Sequence, residues 1–295
     1  MPKPSGMSRA LVRRETTAGY LFLLPSLFFF ITFVLVPMFI CIYTSLFDSN
    51  MGKDSQDVFI WFDNYQELLH DEIFLGALKN TLIIVVVSVP TVCVFSLWVA
   101  SAIYDMKPAL TSIYRVIFYL PVVTGSVAVT VVWKWMFNNY YGIFNYLSGQ
   151  NINWLGDARY ALWCIILILF TTSVGQPIVL YVSALGNVDQ TLVEAAEVDG
   201  ATNTQVFWKI KWPQIMPTTL YILVITTINS FQCFALIQLL TSGGPNHSTD
   251  TIMYYIYYTA FKLYRYGYGN AMGVVLMILI ALLSAVQFRL GRSRN

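Results

Sequence analysis

The chain has 295 residues, of which 57% are hydrophobic, 16% aromatic and only 11% charged, whereas soluble domains carry roughly 25% charged residues. That balance excludes an ordinary water-soluble domain and marks an integral membrane protein. The net charge of +2 reflects topology more than partners, and no basic stretch interleaved with aromatics points to nucleic acid.

A bilayer-spanning helix needs about 20 mostly apolar residues. Six runs qualify, at roughly 20–46, 77–103, 114–137, 160–183, 218–240 and 270–289. The expected fold is all-α, with six transmembrane helices and both termini on one side. The opening MPKPSGMSRALVRRE is short, polar and basic, and is expected to be disordered or to lie on an anionic leaflet. The first run follows Arg13 and Arg14 without a small-residue cleavage site, so it reads as a retained span rather than a signal peptide.

The loop Asp48–Glu72 mixes acids with Phe59, Trp61, Phe62 and Tyr65. These aromatics suit the membrane interface, and an extracytoplasmic partner is the alternative. Pro90, Pro121 and Pro177 fall inside runs and predict bent helices around a cavity. Lys134, near the outer end of the third run, is placed to snorkel. Loops 138–157 and 241–270 are long enough to hold short helices. With the N-terminus inside, Lys3, Arg9, Arg13, Arg14, Lys107, Arg115, Lys209, Lys211, Arg289, Arg292 and Arg294 all face the cytoplasm. Cys41, Cys93, Cys164 and Cys233 lie within runs at no metal or disulfide spacing, and His70 and His247 are far apart in loops, so no metal site is expected.

Glu194–Pro217, EAAEVDGATNTQVFWKIKWPQIMP, separates the fourth and fifth runs on the cytoplasmic side. Glu194, Ala195, Ala196 and Glu197 favour helix, and Asp199-Gly200 reads as a break. From Ala201 to Trp212 a second short helix is expected, with Val206, Phe207 and Ile210 at helical spacing, before Pro213 and Pro217 stop it and restart the chain. The result is a helix-turn-helix knuckle outside the bilayer. An amphipathic helix lying on lipid would carry several cations on its polar face, but only Lys209 and Lys211 qualify. Docking into a groove of another protein suits the pattern better.

Glu194-Ala195-Ala196, Asp199-Gly200-Ala201, Ile210, Pro213 and Pro217 resemble the EAA loop of permease subunits in bacterial binding-protein-dependent ATP-binding-cassette importers. Agreement with their carbohydrate branch, the permeases resembling MalF and UgpA, extends to Asn80-Thr81, YRVIFYLP ending at Pro121, Trp133, Gly142 with Asn145, and LTSGGP from Leu240 to Pro245. The likeness runs from about residue 20 to the end. It implies the type I importer permease fold, with a cytoplasmic N-terminal tail, first helix and outer loop over 1–75, a five-helix transport core over 76–289 and a cytoplasmic tail over 290–295.

In that family the knuckle is a coupling helix seated in a separate ATPase. Glu194 would supply charge and acceptors there, Gly200 the turn, and Phe207 with Ile210 the apolar contact. The resemblance also implies a second, homologous permease, a dimer of ATPase subunits and an extracytoplasmic solute-binding protein. It implies Gly243, Gly244 and Pro245 at an outer gate or docking point. The chain has no GxxxxGK[ST] loop, so ATP and Mg are expected on the partner ATPase, with no cofactor and no catalysis on this subunit. Trp212, Asp189 and Ala235 depart from the family pattern, which leaves the ATPase contact, the entry to the loop and the cargo open.

Polar side chains within spans are costly and often functional. The fifth run offers Asn229, Gln232 and Gln238, and the fourth offers Gln176. Asn229 and Gln232 are three apart and should share a helix face. Neutral amides with Tyr and Trp suit a sugar, and hydrogen bonding between helices is the competing explanation. A glycerol-phosphate-like cargo would call for Arg or Lys facing the cavity. A membrane enzyme or a solitary ion-coupled carrier would require intramembrane acid, His or Cys clusters, or broken paired repeats, and neither is evident.

Overall fold

The computed structural model describes residues 9–50 and 57–292. Lys3, Lys53, Arg294 and the outer parts of both tails lie outside the described residues. Helix α1 (Arg9–Phe30) begins within the basic opening segment, so residues 9–15 are helical where disorder was one of the two expectations. Ala, Leu and Arg are strong helix formers and extend the apolar run backwards. A single wide π turn, Ile31–Leu35, joins α1 to α2 (Val36–Thr44), and Pro37 sits just beyond it. A proline ring clashes with the carbonyl four residues back, and widening the turn relieves the clash. The same solution recurs at Phe207–Lys211, before Pro213.

A short antiparallel ribbon pairs β1 (Phe47–Asp48) with β2 (Val58–Phe59). It leads through α3 (Asp63–His70) to α4 (Glu72–Tyr104), the longest helix. Next come α5 (Pro108–Val123), α6 (Ser126–Met136), α7 (Ile143–Ser148), α8 (Ala161–Ser173) and α9 (Gly175–Gly186). The chain continues with α10 (Gln190–Val198), α11 (Asn203–Val206), α12 (Trp212–Phe231), α13 (Ala235–Leu240), α14 (Ile252–Phe261) and α15 (Tyr266–Arg292).

Among the described residues, five helical segments are long and apolar enough to cross a membrane: Thr16–Thr44, Glu72–Tyr104, Ala161–Gly186, Asn203–Leu240 and Tyr266–Gly291. The expected third span is instead the pair α5 and α6, which meet at 93°, and it makes a sixth crossing only if the pair counts as one. The break falls at Thr124 and Gly125, both in extended backbone. Two β-branched valines, a threonine and a glycine in succession give the helix its weakest stretch.

α4 packs along α9 and α12, and α15 packs along α12 and α14. Tyr181, Ile178, Ile222, Phe231 and Met272 are fully or almost fully buried at their junction. The first helix is different. None of its most apolar stretch is buried within the chain, and it is fastened at one end, where Asn270 Nδ2 donates to Thr44 Oγ1 at 2.7 Å. Nearby, Asn64 Nδ2 donates to the carbonyls of Ser45 and Phe47 at 2.8 and 3.0 Å.

Candidate functional site

Residues 189–213 form a rigid knuckle at one end of the bundle. Asp189 caps α10, its carboxylate accepting from Thr191 N–H at 2.9 Å and Thr191 Oγ1–H at 2.7 Å. Those two hydrogen bonds hold its carboxyl below the ordinary carboxylate range. At the far end of α10, Gly200 takes φ +80°. Ala201 N–H reaches Ala196 O at 2.9 Å and Gly200 N–H reaches Glu197 O at 3.0 Å. This pair of bonds closes a Schellman turn, whose left-handed residue glycine adopts without a Cβ penalty. Thr202 and Gln205 then exchange a capping box at the start of α11.

The knuckle has an inward and an outward apolar side. Val193 and Val206 are buried, and Ala196, Ala201, Ile210 and Trp212 pack against the bundle core. Ile210 therefore faces inward, and Phe207 is only partly exposed. The apolar side chains turned outward are Leu192 at 51%, Val198 at 88% and Trp208 at 56% exposure. Glu194, Ala195, Asp199 and Gly200 are exposed around them, as are Pro213 and Pro217 on the following turns. Toward the bundle, Gln190 Nε2 donates to Tyr104 Oη at 3.1 Å and Lys211 Nζ sits 5.7 Å over the Tyr104 ring, seating the knuckle on the end of α4.

The knuckle is continuous with α9 and α12, and these two helices also wall a cavity of about 160 Å³. α8 and α9 contribute Thr172, Ser173, Gln176 and Leu180, and α12 contributes Tyr221, Thr226 and Asn229. Two of the expected path residues, Gln176 and Asn229, meet here, although 53 positions separate their numbers. The other two do not. α12 stops at Phe231, and Gln232, its C-cap, still donates N–H to Ile228 O at 3.1 Å but is exposed and lies outside the cavity lining. Just past the break, Thr251 Oγ1 donates to Cys233 O at 2.8 Å. Gln238 lies beyond the break in α13, with Oε1 buried and unpartnered among the described residues. Thr227 realises the packing alternative, donating to Leu223 O and accepting from Gln287 Nε2.

Sequence reasoning missed Arg115. The expectation placed it at the cytoplasmic flank and gave it no site; in the structure it sits within α5 and lines a groove of about 460 Å³ with Tyr119, Val123, Val179, Leu180 and Gln176. Gln176 and Leu180 also line the smaller cavity, so the two spaces share a wall.

At the opposite end of the bundle from the knuckle, the motif residues Asn80-Thr81 and LTSGGP come together. Asn80 Nδ2 donates to Ser248 O and Asp250 O at 3.1 and 3.0 Å, and Ile252 N–H donates to Thr81 Oγ1 at 3.0 Å. Gly243 is buried at φ +83°, where a Cβ would run into the Asp250 carboxylate. Gly244 and Pro245 are half-buried beside it. Burial pushes the Asp250 carboxyl up, and a 2.6 Å contact with His247 Nδ1 opposes the shift. In the 138–157 loop, Asn145 uses every polar atom: Nδ2 donates to Asn139 O and Ile152 O, and Oδ1 accepts from Ile152 N–H and Trp154 Nε1–H.

A family model described as the binding-protein-dependent transport system inner membrane component matches residues 73–294. The chain is 30% identical over 279 residues to the multiple sugar-binding transport system permease protein MsmF of Streptococcus mutans, covering 93% of this chain and 95% of that one. It is also 30% identical over 257 residues to the sn-glycerol-3-phosphate transport system permease protein UgpA of Agrobacterium fabrum, covering 85% and 87%. Its fold matches a chain in the crystal structure of a bacterial ABC transporter involved in the import of the acidic polysaccharide alginate. That match has a TM-score of 0.81 at 24% identity, over 97% of this chain and 99% of the other.

Proposed function

The chain belongs to the binding-protein-dependent transport inner membrane family, and from that premise we propose that it is the permease subunit of an ATP-driven importer for a sugar or oligosaccharide. It works in the cytoplasmic membrane of a bacterium with both termini inside. Residues 76–289 form its transport core, paired with a second permease of the same kind. Two ATPase subunits bind ATP and Mg and supply the energy, and an extracytoplasmic binding protein delivers cargo. This subunit performs no chemistry of its own.

One observation carries the reading. The helices that wall the Gln176–Asn229 cavity, α9 and α12, are the two that run directly into the knuckle. A rigid knuckle displaced by a partner moves both walls at once. Leu192, Val198 and Trp208 give that partner an apolar grip, and Glu194 adds charge beside them. The cavity offers amides, hydroxyls and the Tyr221 ring, the mixture that hydroxyl-rich cargo requires. Arg115 on the adjoining groove favours the second reading, a cargo with a phosphate or similar group.

The test is co-purification of the chain with its ATPase and sister permease, comparing wild type with a variant lacking residues 194–210. Retention of the ATPase by wild type and its loss from the deletion variant are expected. Failure of any ATPase to bind wild type would overturn the coupling role.

A further inference from the structure

We propose that the cargo carries an anionic group, a carboxylate or a phosphate, and that Arg115 is the residue that selects for it. This rests on the transport reading above and narrows its substrate class.

Arg115 is seven residues beyond Pro108, the first residue of α5, which puts it roughly 10 Å along the helix from the knuckle end. Charged side chains inside membrane bundles are costly and face a cavity or a partner. Arg115 faces a groove whose other lining residues are Val116, Tyr119, Leu120, Val123, Gln176, Val179 and Leu180, none of them acidic. No acid lines the adjoining Asn229 cavity either. Arg115 Nε is buried and has no hydrogen-bond partner among the described residues. The chain's own atoms enclose Nε, on a residue that lines the groove.

The groove meets the cavity through Gln176 and Leu180. A cargo molecule whose hydroxyls reach Gln176 and Asn229 therefore lies next to an uncompensated cation. Guanidinium presents a planar fork of donors that matches carboxylate and phosphate oxygens and leaves a neutral hydroxyl poorly served. In so apolar a groove the attraction is only weakly screened. The amides recognise the sugar-like part of the cargo, and Arg115 recognises its charge.

The decisive experiment is uptake by the assembled importer in proteoliposomes, using labelled trigalacturonate, glycerol 3-phosphate and maltotriose. Wild type should transport one of the two anionic probes, and which one decides between carboxylate and phosphate. Arg115→Gln should raise half-saturation for that probe about tenfold, the loss of one charge-assisted contact, with a much smaller change in the rate at saturation. Arg115→Lys should recover much of the affinity. Gln176→Glu, which adds a negative charge at the shared wall, should suppress uptake of the anion by itself, so the proposal stays testable even if Arg115→Gln fails to assemble.

Uptake of maltotriose alone would overturn the proposal and leave the transport reading standing. Unchanged half-saturation in Arg115→Gln, or a fall in the saturating rate alone, would make Arg115 a helix anchor and also overturn it. Uptake of none of the probes, with ATP hydrolysis unresponsive to each, would overturn the transport reading and this inference together.

Discussion

Asp71 and Tyr268 stand 197 positions apart in the chain and meet at 2.7 Å, the phenol donating to Asp71 Oδ2. Tyr255 donates to the same oxygen at 2.8 Å, and Asp71 Oδ1 caps α4 through Ile73 N–H and Phe74 N–H. One carboxylate thus fixes the start of α4 to both α14 and α15. Arg265 lies alongside, bound by both Nη atoms to Glu67 and 4.4 Å over the Tyr268 ring.

Replacing Asp71 with Ala should lower stability by about 2–3 kcal/mol, as expected for several hydrogen bonds to a charged group. Burial pulls the Asp71 carboxyl up, but donors from Tyr268, Phe74, Tyr255 and Ile73 outweigh it and leave the group below the ordinary carboxylate range. A depressed folded value means that the contribution is present above the unfolded value, about 3.9, and is lost as pH falls through the folded one. Thermal unfolding in detergent should show the gap between wild type and Asp71→Ala full at pH 7 and closing below about pH 4. A gap that stays constant with pH would show that charge plays no part.

Gly200 has open space where a Cβ would project, and its constraint is the backbone at φ +80°. Gly200→Ala should therefore cost about 1 kcal/mol, and Gly200→Asn less, because Asn tolerates left-handed geometry. Gly200→Arg meets no steric clash within the chain; what it adds is backbone strain and a positive charge beside Val198. Membrane insertion should survive in that variant while uptake is lost. Normal uptake by Gly200→Arg would count heavily against the knuckle as the coupling element.

Gly243 and its neighbour Gly244 should respond very differently to alanine. At Gly243 the added methyl overlaps the Asp250 carboxylate and approaches Tyr254 at 2.8 Å, and the φ is positive. A cost on the order of 3 kcal/mol is expected from strain and overpacking together. At Gly244 the nearest atom is Thr241 O at 3.2 Å, and the cost should stay under about 1 kcal/mol. Limited proteolysis of the 241–251 loop would register the difference; equal sensitivity of the two variants would refute this account of the loop.

Asn229→Ala and Gln176→Ala should each raise the cargo concentration that half-stimulates ATP hydrolysis by roughly tenfold, the worth of one hydrogen bond at the site. Gln232→Ala should change it little, since Gln232 lies past the end of α12. If Gln232→Ala has the largest effect of the three, the cargo does not sit in the cavity shared by α9 and α12.

The helices that carry a long apolar run were legible in composition alone, because a bilayer leaves so few ways to satisfy a backbone. The turn of the knuckle was legible, since Gly200 acts through local backbone chemistry, but Pro213 and Pro217, expected to stop the second helix, lie in the first turn and the interior of α12, which follows α11 and the π turn without a break in helical backbone. What escaped was set by contacts between distant residues. The segment after α12 is held from a distance, by the Thr251 hydroxyl on Cys233 O, and this could not be read from residues 229–232. The place of Arg115 inside a helix depended on α5 starting at Pro108, whereas the span expected over 114–137 put it at the very start of a run. Ile210 was expected to face a partner because helical spacing groups it with Phe207, but spacing cannot say which side of the knuckle the bundle occupies.

The break between α5 and α6 bears on where water goes. The sixteen residues of α5 rise about 24 Å, less than the roughly 30 Å of a hydrocarbon core, so α5 alone falls short of a crossing and the 93° corner ends it early. Residues 123–128 are all exposed there, and the corner interrupts the ladder of peptide groups. Acyl chains offer such groups nothing to bond with, and irregular backbone among them is stable only against protein or a wetted space. For a corner placed inside the hydrocarbon core, that means a wetted space or a neighbouring protein surface against residues 123–128.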